Sequence, residues 1–71
     1  MSDATIKYII SRIIDKANLI VDSEEDKDFN IGKRFAYYEV LDTIQGELLA
    51  HDRDLAEFGL DIDLADKFLK A

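Results

Sequence analysis

The run from Ile6 to Val21, IKYIISRIIDKANLIV, decides the fold. Its isoleucines favour strands by propensity, but a half-buried strand needs apolar and polar residues to alternate, and here they do not. Ile6, Ile9, Ile10, Ile13, Ile14, Ala17, Ile20 and Val21 instead recur at three- and four-residue spacings. At about 100° of rotation per residue they gather on one face, with Lys7, Ser11, Arg12, Asp15, Lys16 and Asn18 on the other. The period predicts an amphipathic helix over residues 3–22. Ser2 or Asp3 is its expected N-cap, because a short oxygen-bearing side chain there accepts from an otherwise unpaired first-turn amide.

Immediately after this helix, Asp22-Ser23-Glu24-Glu25-Asp26-Lys27-Asp28 contains no apolar residue and five acids against one lysine. Such a charge run reads as a solvated loop. Asn30 is the expected N-cap of the next helix, with Phe29 and Arg34 fixing the angle of entry. A connection of about eight residues favours an antiparallel helical hairpin.

The second helix is predicted over residues 31–58, with a break near His51–Asp54 as the alternative. Ile31, Tyr37, Tyr38, Leu41, Ile44, Leu48, Leu49 and Leu55 lie on one broad face, edged by Val40, His51 and Phe58 on one side and by Phe35 on the other. That stripe is wider than one partner helix covers, so it should meet the C-terminal segment or a second copy of the chain as well. Gly59 followed by Leu60 resembles a left-handed helix cap with its trailing apolar contact. Asp61 or Asp63 can then cap a short third helix over residues 63–70, with Leu60, Leu64 and Phe68 spaced by four. The predicted fold is all-α: a helical hairpin with a short C-terminal helix, dimerising into a four-helix-type bundle.

Composition narrows the chemistry. The 71 residues form one expected domain over positions 1–71, with no proline, no cysteine, three glycines and a formal charge of −7. Without cysteine there is no disulfide framework, iron–sulfur cluster or catalytic thiol. A chain of this size buries only about 60% of its unfolded surface, so oligomerisation is a natural supplement to its core. No apolar run approaches the roughly 18 residues that span a bilayer. Met1–Thr5 lacks the positively charged start of a secretory signal, which makes the cytoplasm the expected location. Acidity, with no basic cluster larger than Lys33-Arg34, argues against direct nucleic-acid binding. The charge is uneven: +1 over residues 1–21, −4 over 22–30, −1 over 31–50 and −3 over 51–71.

Each candidate site has a plainer counterpart. Asp26-x-Asp28-x-Asn30 opens like a calcium loop, but the sixth position is Ile31 instead of glycine and the twelfth is Tyr37 instead of glutamate. His51 is the single histidine, so no two-histidine metal site exists within one chain, and Glu47 and Asp54 stand ready to support its charge. Glu39, Asp42, Glu47 and Asp54 do not form the inward Glu-x-x-His sets of a di-metal bundle. No catalytic residue, cofactor or metal is therefore expected. Lys33-Arg34 is read as attracted to the acidic loop of its own hairpin. Ala36, Thr43 and Ala50, near Gly32 and Gly46, form a strip of small side chains.

Tyr8 and Leu19 sit on the solvent side of the first helix, and Phe35, Tyr37, Tyr38 and Phe58 complete the expected interface. The sequence points to a non-enzymatic helical interaction or regulatory protein acting as a homodimer through its helix faces. The alternative is an acidic inhibitor or nucleic-acid mimic that presents Asp22, Glu24, Glu25, Asp26 and Asp28 to a basic partner.

Overall fold

A computed structural model describes residues 1–23 and 27–69. Two long helices, α1 (Asp3–Val21) and α2 (Lys27–Ala50), pack together as a hairpin. A single 3-10 turn (Leu55–Phe58) and a short helix α3 (Leu64–Phe68) follow. No strand occurs among the described residues. The fold is the predicted all-α hairpin with a short C-terminal helix.

α1 matches its prediction to within one residue. Ser2 caps it, its side chain accepting from the Thr5 amide at 3.2 Å. Ile10 and Ala17 are buried, and Ile6, Ile13, Ile14 and Val21 pack half-buried around them. Ile9, counted with the apolar face, is 41% exposed at its margin.

The bounds of α2 need correction at both ends. It starts at Lys27 and not at Ile31, which places Asn30 a turn inside the helix and ends its predicted role as cap. Nothing in Lys27-Asp28-Phe29 breaks a helix, and Asp28 in the first turn meets the positive end of the helix dipole. At the other end the break near His51–Asp54 is real. Asp52 adopts the left-handed conformation at φ 58°. The Arg53 amide then donates to the Leu48 carbonyl at 2.8 Å, and the Asp52 amide to that of Leu49 at 3.0 Å. This pair of bonds is a Schellman cap, in which a left-handed residue turns the last amides back onto the final helical carbonyls.

The same cap recurs after the 3-10 turn. Gly59 has φ 71°, the Leu60 amide donates to Leu55 at 2.9 Å, and the Gly59 amide to Ala56 at 3.2 Å. Asp54 caps the start of the 3-10 turn and Asp63 the start of α3, each through a side-chain oxygen at 3.1 Å.

Residues 55–69, the C-terminal arm, fold back along α2. Of the seven buried hydrophobic side chains among the described residues, the arm supplies Phe58, Leu60, Leu64 and Phe68, and the hairpin supplies Ile10, Ala17 and Leu41. Burial of side chains of this size contributes roughly 1.5–3 kcal/mol each, so the arm is half of the core. It occupies the place for which the broad stripe of α2 called. Two polar grips fix it there. The Gln45 side-chain amide donates to the carbonyls of Leu60 (2.8 Å) and Ile62 (3.1 Å), and Arg34 Nε donates to that of Phe68 (3.1 Å). At the opposite end, Arg53 joins Asp3 at 2.6 Å and lies over the Phe58 ring at 5.0 Å, tying the start of α1 to the arm.

Candidate interaction surface

Where α3 stops short of the hairpin's connected end, the surface opens into a groove of about 490 Å³. Its apolar lining comes from Ile20 near the end of α1, Ile31 and Phe35 on the first turns of α2, and Phe68 and Leu69 at the end of the arm. Ser23, Lys27, Asn30 and Arg34 supply its polar lining. Ile31 is 60% exposed, Phe35 50% and Leu69 44%. The Tyr38 ring lies 6.2 Å from that of Phe35, which carries the apolar surface along α2. Isolated exposed apolar residues are ordinary, whereas a concave cluster of them is the usual form of a binding surface.

Local pattern explains this arrangement. Ile31, Phe35 and Tyr38 follow one another by four and three residues, as do Leu41, Ile44 and Leu48. These are two neighbouring seams of α2. The core seam meets α1 and the arm, and the other lies partly in solvent, which is why Ile31 and Leu49 are exposed although the broad stripe included them. Spacing held the signal for Ile31, but the two seams merge when the stripe is read as one face. Leu69 carries no sequence signal of its own, because its exposure follows from where α3 ends.

The predicted interface residues separate into groups. Phe35 and Tyr38 belong to the groove and its extension. Tyr37 is half-buried against the core. Tyr8 and Leu19 are exposed on the outer side of α1, at 64% and 71%. Phe58, expected at the interface, is 4% exposed and belongs to the chain's own core, because the break at Asp52 turns it back onto the hairpin. The small-residue strip of Gly32, Ala36, Thr43, Gly46 and Ala50 is exposed, with open space beside both glycines.

The electrostatic features are modest. Arg53, hydrogen-bonded to Asp3, holds that carboxyl below its usual range, and Asp3 in turn raises the guanidinium. His51 Nε2 stands 3.9 Å from Glu47 Oε2, with both side chains largely in solvent. Lys33 lies over the Phe29 ring at 4.6 Å, and Arg34 reaches the arm. In the acidic segment Asp22 and Asp28 are exposed, while Glu24, Glu25 and Asp26, with the proposed attraction of Lys33-Arg34 to them, lie outside the described residues. Among the described residues, no group of three or more His, Cys, Asp or Glu is placed to hold a metal, and no helix is long and apolar enough to cross a membrane.

Comparison of the chain with protein-family models, curated proteins and solved structures finds no match. Its functional interpretation therefore rests on the geometry of these surfaces.

Proposed function

We propose that this chain is a small non-enzymatic helical interaction module that works as a homodimer through its helix faces. The supporting observation is the groove bounded by Ile31, Phe35 and Leu69, an exposed concave apolar surface on a strongly acidic chain. Polar groups around an apolar floor are the ordinary makeup of a protein-binding patch, and the aromatic pair Phe35 and Tyr38 supplies the residue types that dominate such contacts. Light scattering or sedimentation at micromolar concentration tests the homodimer. About twice the 8.1 kDa chain mass is expected, and a persistent monomer with a cooperative melt overturns it.

A second reading, an acidic inhibitor of a basic partner, draws support from the exposed Asp22, Asp28, Asp61 and Asp63. It requires affinity for a basic target that falls steeply as salt rises, since exposed charges are screened over a Debye length of about 10 Å at 0.1 M. Binding that ignores salt removes this reading.

A further inference from the structure

We infer that two copies of this chain join by exchanging their C-terminal arms, the arm of each (residues 55–69) docking on the hairpin of the other. The inference rests on the homodimer proposed above and specifies how it is built.

Three observations carry it. First, the arm supplies four of the seven buried side chains among the described residues, so it cannot remain undocked. The only surface shown to fit it is this chain's own hairpin, with Leu41 at its centre and the grips of Gln45 and Arg34. A second copy presents that surface again, and exchange preserves every contact the arm makes to α1 and α2.

Second, the joint before the arm holds Asp52 at φ 58°, a conformation disfavoured for any residue with a Cβ. Hinges held in such a conformation invite exchange, because opening relieves the strain twice in each dimer.

Third, the sequence across the joint is compatible with helix. From Glu47 to Phe58 there is no glycine or proline, and Leu48, Leu55 and Phe58 keep the helical period. With the joint straightened, α2 would run unbroken to residue 58, a length of about 48 Å. The molecule's longest extent is 37 Å, so the straightened helix carries the arm off its own hairpin and towards another.

The chain's lack of cysteine makes the test direct. Gln45→Cys and Ile62→Cys are made in separate chains, because these two positions meet across the arm contact. The variants are unfolded together, refolded together and treated with a short bis-maleimide. Exchange predicts a covalent pair of chains whose peptide map links position 45 to position 62. A dimer without that link overturns arm exchange and leaves the homodimer standing, whereas a monomer at every concentration overturns both.

Should the cysteine variants fold poorly, the hinge gives an independent measurement. Asp52→Gly relaxes the closed joint, and Asp52→Ala strains it while favouring helix. The dissociation constant of the dimer is expected to be at least about tenfold lower for Asp52→Ala than for Asp52→Gly, each 1.4 kcal/mol of preference being a factor of ten. Equal constants, or the reverse order, overturn the inference.

Discussion

Asp52 and Gly59 meet the same backbone demand with different side chains. Each sits just past a helical segment with positive φ and turns its neighbours' amides back onto the preceding carbonyls. Gly59 was legible because glycine is the residue that tolerates this conformation most readily. Asp52 was not, because nothing in His51-Asp52-Arg53-Asp54 distinguishes a left-handed cap from another turn of acidic helix. The same limit explains Phe58: once the joint bends, a residue expected at an interface becomes part of the core. Also at this scale, the Arg53–Asp3 pair makes a pH prediction. Asp3 ionises more readily when folded than when unfolded, so its contribution is present above the ordinary carboxylate range and is lost as pH falls through its lowered pKa. In urea titrations, Asp3→Asn is expected to be less stable than the parent at neutral pH, the difference shrinking as pH drops below that range. A difference that stays constant in acid would assign the loss to the end of α1 and not to the ion pair.

Among the elements, α1 was the most legible because its apolar period is local and unbroken. The start of α2 was hidden, since Asn30 looks like a cap while the helix actually begins among charged residues with no turn signal. The exposed seam was partly legible: Phe35 and Tyr38 stood out as aromatics, but Ile31 looked like core, and the position of Leu69 depends on the arm's tertiary path. α2 also contains a glycine whose effect can be measured. Gly46 lies inside the helix, exposed, with open space where a Cβ would go. Gly46→Ala should raise stability by about 1 kcal/mol, the difference in helix propensity, read as a higher urea midpoint at unchanged slope. Destabilisation instead would mean that another chain packs closely against this strip.

For the molecule as a whole, the arm determines whether the hairpin is a stable fold. The width of the α2 stripe required a second covering element, and the sequence left the chain's own C-terminus and another copy as candidates. The structure shows the first, and arm exchange would combine them. A chain ending at Asp54 loses Phe58, Leu60, Leu64 and Phe68 from the core. Such a chain is expected to lose its cooperative thermal transition by circular dichroism, because two helices alone bury too little apolar surface. A sharp melt near that of the full chain would show that the hairpin is self-sufficient.

The grips of Gln45 and Arg34 also act as a gauge of length. Eleven positions apart on α2, they stand about 16 Å from each other along the axis, and the arm must bring the Leu60 and Phe68 carbonyls to matching stations. One residue inserted between Ile62 and Leu64 would turn α3 by about 100° and advance it by about 1.5 Å. Leu64 and Phe68 would then leave their places in the core while Leu60 stayed. The arm therefore tolerates changes of side chain on its outer face far better than a change in residue number, and relatives that keep this architecture should vary there in composition but not in length.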